Sequence, residues 1–335
     1  MGRTLEAIDS TGPSGRPGDA PDHEEPMTWT RKPGPRSSRR CLSLEAGKLE
    51  DILSGGGISI DPGTILRVRE GLWRARDPSG ELALRFVPGE AVSALRAFST
   101  MEQVRPGSSV SLQKMLGFIR CDDGAVAVLQ WVQGSTLWES SGEEMPHFFD
   151  GLARWHMDNA CGHPLYSRYT DKEYRSIAGL IDGELDLHLG LPGLDDRRES
   201  CRDALEPLTS GITTHAHGDV HPGNILYRPD GGFTLLDPEY LHVGCNYLDL
   251  DYVDWWGIEP DPAPWWIIRE QARASVMAYF SALGVSTGRI PAIMKAVALL
   301  SALRSHTNSV RLGSGDPGRA MSRVQQILDG GLPVA

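Results

Sequence analysis

The sequence predicts an α+β protein of two lobes: a small lobe built on a five-stranded antiparallel sheet with one helix, then a larger, mostly helical lobe. Three observations predict it. Between residues 64 and 87 apolar and polar residues alternate in three runs separated by turn residues, as half-buried strands do. One run of helical spacing and two further strands follow. Beyond Gly134 the apolar period becomes helical and only two short strands interrupt it. The length of 335 residues suits about two such units. A content of 40% hydrophobic and 23% charged residues excludes collagen, coiled coil and full disorder.

The elements follow in order. Residues 1–45 are rich in Pro, Gly, Ser and Arg, and the stretch from Arg31 to Arg40 cannot bury enough apolar surface to offset its ordering entropy. This part is expected to be a disordered extension. The small lobe is expected over 46–132. Gly55-Gly56-Gly57 reads as a flexible linker before the first strand. Strands are predicted at 64–69, 72–76 and 81–87, with turns at Glu70-Gly71 and Asp77-Pro78-Ser79-Gly80. Val92, Leu95, Phe98 and Met101 then mark a helix over 91–104, and strands at 115–119 and 125–132 complete the sheet. The large lobe is expected over 133–335. Its helices are predicted at 148–157, 174–181, 199–208, 265–283, 290–305 and 318–328, and its two strands at 224–227 and 232–236.

Composition narrows the function. The net charge is −11, with 33 basic against 44 acidic residues. That argues against a dedicated nucleic-acid binder, which needs Lys and Arg in excess. The five cysteines (Cys41, Cys121, Cys161, Cys201 and Cys245) include no CxxC pair and read as reduced thiols. No apolar run reaches the roughly 18 residues of a membrane span, and no apolar signal segment follows the N-terminal charges. The expected location is the cytoplasm, with no membrane partner.

The chemistry concentrates in His217-Gly218-Asp219-Val220-His221-Pro222-Gly223-Asn224, followed by Thr234-Leu235-Leu236-Asp237. A hairpin of the two short strands brings Asn224 beside Asp237. An amide oxygen and a carboxylate suit Mg²⁺ when water and phosphate oxygens fill its other positions. Asp219, on the adjoining loop, is placed to accept the proton of an attacking hydroxyl. Such a set suits phosphoryl transfer, in which positioning and charge neutralisation do most of the catalysis.

This stretch resembles the catalytic signature of the aminoglycoside phosphotransferase and choline kinase group, within the protein-kinase-like fold. The resemblance covers about residues 55–310. It implies transfer of the γ-phosphate of ATP or GTP, with Mg²⁺, to a hydroxyl of a small molecule. Asp219 takes the place of the catalytic base, Asn224 and Asp237 of the magnesium ligands, and His217 and His221 of residues that brace or assist the loop. Asp249 matches the aspartate that holds the loop by its backbone. Arg85 falls where a strand cation contacts the nucleotide phosphates, and Glu102 has the spacing of its helix partner. Gln130 and Val132 flank Trp131 in the segment whose backbone meets the purine edge.

The chain also departs from the pattern. No Gly-rich loop joins the first two strands, where only Arg69-Glu70-Gly71 stands. No activation segment or Ala-Pro-Glu is present, which argues against a protein substrate. The favoured acceptor is an aminoglycoside or another sugar-bearing antibiotic, in resistance or self-protection. A choline-, homoserine- or sugar-type metabolite is the alternative, and a catalytically inactive kinase-like binding protein is another. Residues 139–206 hold 15 acidic and seven basic residues, a balance that would draw a cationic acceptor.

Overall fold

The computed structural model describes residues 46–61, 63–69, 71–88, 97, 100–121, 124–137, 143–162, 164–167, 172–189, 194–251, 269–312 and 316–330. The chain divides into Met1–Arg36 and Ser37–Ala335. The first unit lies outside the described residues, as does the expected extension over 1–45, and every element below belongs to the second.

The five expected strands form one antiparallel sheet. They are β1 (Leu66–Arg69), β2 (Leu72–Asp77), β3 (Gly80–Pro88), β5 (Met115–Cys121) and β6 (Gly124–Gln130), in the spatial order β1-β2-β3-β6-β5. Alternation along each strand sends side chains to opposite faces. One face carries Trp73, Ala75, Leu82, Leu84, Phe86, Val126 and Val128, all buried. The other carries Ala83, Val87, Ala127 and Leu129, which join the core of the helical lobe.

What covers the first face is an element the sequence reading did not foresee. Helix α1 (Ala46–Gly55) lays Leu49 and Leu53, both fully buried, on that face. Burying each leucine stabilises by about 1.5–3 kcal/mol. The three glycines are therefore the stop of this helix rather than a flexible linker. The Ile58 N–H reaches the Leu53 carbonyl at 2.9 Å and the Gly57 N–H that of Ser54 at 3.0 Å, with Gly57 at φ +77°. Gly56 also passes so close to Ile119 that an added Cβ would lie 2.5 Å from its Cδ1.

Of the helix expected over 91–104, most lies outside the described residues. Ala97 and Thr100 are helical, and Met101–Gln103 is a 3-10 turn. After it, β4 (Val110–Leu112) leaves the small sheet and runs parallel to β12 (Phe233–Leu235) of the large lobe. With β11 (Ile225–Tyr227) and β7 (Ser135–Thr136) these make a four-stranded sheet in the order β4-β12-β11-β7.

The large lobe is built on α2 (Met145–Asp158), α3 (Ile177–Leu189), α4 (Arg198–Leu205), α5 (Arg269–Ala282), α6 (Ile290–Leu312) and α7 (Pro317–Leu328). Tyr174, expected to open a helix, instead lies in the short strand β9 (Glu173–Tyr174), which pairs with β8 (Leu165–Tyr166). Strand β10 (Thr213–Ala216) pairs with β13 (His242–Cys245) and delivers the chain to His217. The Trp255-Trp256 and Trp265-Trp266 pairs lie outside the described residues. Among the described residues no helix is long and apolar enough to cross a membrane.

Candidate active site

The signature residues gather where β10 ends, at the β11–β12 hairpin. In that hairpin Ile225 pairs with Leu235 and Tyr227 with Phe233. The Leu236 N–H continues the ladder to the Asn224 carbonyl at 2.8 Å. Asn224 therefore stands opposite Leu236, and Asp237 is one residue beyond.

Asn224 is buried and divides its amide between two tasks. Its Nδ2 donates to Asp219 Oδ2 at 2.8 Å and to the Asp219 carbonyl at 3.1 Å. Its Oδ1 receives no hydrogen bond among the described residues and remains available as a ligand oxygen. Asp237 has φ 54° and ψ 63°, a left-handed conformation uncommon outside glycine and best tolerated by Asp and Asn. Among the described residues it is the one non-glycine with positive φ. Strain of that kind costs on the order of 1–3 kcal/mol and collects at functional sites. Pro238 follows and starts a 3-10 turn, which turns the chain away immediately after the carboxylate. Two hard oxygen donors on neighbouring hairpin residues fit a magnesium ion that keeps phosphate and water oxygens as its remaining ligands.

The loop before Asp219 is held by its backbone. Asp249, fully buried in a 3-10 turn (Asn246–Leu250), accepts the His217 N–H on Oδ2 at 2.8 Å and the Gly218 N–H on Oδ1 at 2.6 Å. Burial pushes its pKa up. The hydrogen bond and charge of His156, the charge of His217 and the Gly218 N–H outweigh that and leave the carboxyl below its usual range. Gly218 has φ +78°, and a Cβ there would lie 2.6 Å from the Tyr240 carbonyl oxygen. The position is closed to any other residue.

The two histidines of the signature have different surroundings. His217, fully buried, donates Nε2–H to the Leu236 carbonyl at 2.8 Å. It thus ties the loop to the residue before Asp237. His221 is half-buried and accepts the Gly223 N–H on Nδ1 at 3.0 Å. That leaves its proton on Nε2, which lies 3.7 Å from Asp219 Oδ2.

In the small lobe Arg85 stands opposite Leu72 and Ala127, on the face shared by Ala83 and Val87, toward the helical lobe. Glu102 sits on the 3-10 turn and is exposed, and no ion pair joins it to Arg85 among the described residues. The two expected partners are not brought together. Gln130 ends β6 with its N–H on the Lys114 carbonyl at 2.8 Å and its own carbonyl receiving Gln113 Nε2 at 3.0 Å. Trp131 is bonded through its N–H to the Glu81 carbonyl at 3.2 Å, and the Arg74 guanidinium lies over its ring at 4.8 Å. Val132 N–H and C=O carry no hydrogen bond among the described residues. The β1–β2 connection is a tight turn through Gly71 at φ +69°.

Sequence reasoning missed Gln113, His156 and Tyr279. Gln113 carries no sequence signal. His156 carries one: it follows Phe149 and Leu152 at helical spacing, on the apolar face of α2, where a fully buried histidine needs polar partners. Its Nε2 lies 2.9 Å from Asp249 Oδ2 and its Nδ1 2.9 Å from the Tyr279 hydroxyl.

Known small-molecule phosphotransferases share this architecture. A model described as the phosphotransferase enzyme family matches residues 72–274. Among solved structures, the aminoglycoside phosphotransferase APH(4)-Ia superposes with a TM-score of 0.60 at 15% identity, over 86% of this chain and 99% of its own. The macrolide 2'-phosphotransferase MphH of Brachybacterium faecium gives 0.51 at 16% identity, over 84% and 97%. The choline kinase LicA of Streptococcus pneumoniae gives 0.52 at 13% identity, over 84% and 96%. These likenesses establish the protein-kinase-like fold. No curated protein matches the chain.

Proposed function

The chain belongs to the phosphotransferase enzyme family, and from that premise we propose that it is a Mg²⁺-dependent kinase that moves the γ-phosphate of ATP to a hydroxyl of a sugar-bearing small molecule, with aminoglycosides the first class to test. The observation that carries the proposal is the Asp219–Asn224–Asp237 cluster on a loop fixed through Asp249. Asp219 is held by Asn224 Nδ2 and lies beside the His221 ring, so it is oriented to receive the acceptor's proton. Asn224 Oδ1 and the Asp237 carboxylate would hold the metal, which when bound neutralises phosphate charge. Arg85, on the sheet face toward the loop, would meet the phosphates with a planar fork of donors. The backbone of Gln130 and Val132 would meet the base.

The solved structures support a nucleotide and a small-molecule acceptor. APH(4)-Ia has been captured in ternary complexes with AMP-PNP and hygromycin B and with ADP and hygromycin B. Several acidic residues of 139–206 have arginine partners, three of them arginines that the balance of 15 acidic and seven basic already counts. Asp150 pairs with Arg154, Asp182 with Arg202 and Asp186 with Arg198, while Glu184 is buried against Arg304. The test is purified protein with Mg-ATP and a panel of aminoglycosides, macrolides, choline and glycated amines, scored for a mass gain of one phosphate. Transfer to an aminoglycoside is the expected result. Transfer to choline or a glycated amine alone would overturn the acceptor class, and transfer to none would overturn the kinase reading.

A further inference from the structure

We propose that the protein carries a second small-molecule site, a cavity at the corner where β4 gives way to β5, with Gln113 as its polar anchor and an uncharged, ring-bearing molecule with one O–H or N–H donor as its ligand. The existence of the site does not depend on the kinase reading above. Its effect on nucleotide binding rests on that reading.

The cavity has a volume of about 440 Å³, a size that suits a small organic ligand. Its walls are apolar: Met101, Val104, Pro106, Leu112 and Met115. The two methionines have thioethers that adapt to irregular shapes and favour contact with aromatic rings. Glu102 and Lys114 also line the cavity, and both are exposed. One negative and one positive group thus stand at its mouth, so the lining carries no net charge and offers a charged ligand no advantage. Glu102, which the sequence places as the partner of Arg85, lines this cavity instead.

Gln113 supplies direction. It is 7% exposed, its backbone N–H is held by the Leu235 carbonyl at 3.0 Å, and its Nε2 donates to the Gln130 carbonyl at 3.0 Å. A carbonyl can only accept, so the nitrogen end of the amide is committed there and Oε1 is turned away. Among the described residues no donor reaches Oε1, and the atom is not sealed from solvent. Gln113 lines the cavity, so the little surface it keeps belongs there. A fixed acceptor among apolar walls selects a ligand that brings a donor, because the hydrogen bond forms without reorienting the amide.

The cavity is separate from the Asp219–Asn224–Asp237 cluster and from Arg85, none of which lines it. In the order β1-β2-β3-β6-β5, Gln113 leads into the edge strand β5, Arg85 lies on β3, and β6 stands between them. Gln113 nonetheless connects the cavity to both parts of the nucleotide site. Its side chain holds Gln130, whose backbone would meet the base, and its backbone holds Leu235, two residues before Asp237. A ligand on Oε1 immobilises the amide and with it the Gln130 carbonyl, so a nucleotide binding to the occupied protein has less order left to impose. The two ligands are expected to strengthen each other.

The experiment uses the full chain, labelled with ¹³C at the methionine methyls, and two probes. The compound 2-naphthol is uncharged at neutral pH and carries an O–H donor, whereas 2-methoxynaphthalene has the same rings and no donor. The naphthol is expected to shift the Met101 and Met115 methyl resonances with a Kd below about 1 mM. The methoxy compound is expected to bind about 3- to 10-fold more weakly. Gln113→Met keeps the length of the side chain and removes the acceptor, and should bring the two probes to equal affinity. Should that variant fail to fold, Val104→Trp fills the cavity from another wall with Gln113 in place, and should abolish the shifts. Unshifted Met101 and Met115 methyls in the wild type, equal affinity of the two probes for it, or retained shifts in Val104→Trp overturns the site. Calorimetry with Mg-ATP reads the coupling. Saturating naphthol should tighten the nucleotide Kd about 5-fold or more, and Mg-ATP should tighten that of the naphthol by the same factor. An unchanged Kd overturns the coupling. A wild type that binds no Mg-ATP counts against the kinase reading, and the methyl shifts still decide the site.

Discussion

Asp219 and Asp237 sit within one short stretch of chain, yet their environments give them different work. Asp219 is fixed by Asn224 Nδ2 at 2.8 Å and faces His221, whereas Asp237 projects from a left-handed residue at the end of β12. Asp219→Ala should therefore reduce turnover about 10²–10⁴-fold while nucleotide affinity stays near wild type. Stopped assays with calorimetry check both halves, and near-normal turnover in a folded variant would remove Asp219 from the reaction. Asp237→Ala should instead abolish Mg²⁺-dependent nucleotide binding, which calorimetry with and without the metal reads directly. The residues of the signature were legible because their chemistry demands fixed spacings: Asp219 to Asn224 across a Pro-Gly turn, then Asp237 across a hairpin. His156 and Tyr279 were not. They meet Asp249 only after three distant segments fold together, and no local spacing encodes that meeting.

Among the elements, α1 and β4 carry the most information beyond the sequence reading. The first strands of the small sheet announced themselves by alternation, whereas β6, packed on one face by α1 and on the other by the main core, reads as a short continuous apolar run. Helix α1 did not, because its glycine-rich end looks like a linker until Ile58 is seen bonding back to Leu53. Three-residue strands such as β4 and β11 are too short to show a period, and β4 exists only because β12 is there to pair with it. A direct test of α1 is Leu53→Ala. The side chain is fully buried against the sheet, so the substitution should cost about 2–5 kcal/mol in urea unfolding. Nucleotide affinity of the folded variant should not change, because α1 covers the sheet face opposite Arg85.

For the whole molecule, two buried carboxyls set the response to acid. Burial pushes Glu184 up, but the Arg304 charge, then His188 and Ser167, pull it well below the ordinary range, and Asp249 is also depressed. A depressed carboxyl contributes stability that is complete above its unfolded-chain value, near about pH 4, and is lost as pH falls through its folded value. Urea midpoints should thus hold level near neutrality and drop steeply below about pH 4, and Glu184→Gln should be less stable at pH 7 but show a shallower acid slope. The seam between β4 and β12 bears on motion. The Gln113 N–H holds the Leu235 carbonyl at 3.0 Å, the Phe233 N–H holds that of Ser109 at 2.7 Å, and Gln113 Nε2 holds Gln130. These bonds stitch the small-lobe chain to the hairpin that ends at Asp237. Any swing of the small sheet against this hairpin must turn about the stitched line like a book about its spine, widest at Gly71 and scarcely felt at Gln113. Hydrogen exchange should show it: the Phe233 and Gln113 amides exchanging only with global unfolding, and the Gly71 amide far faster.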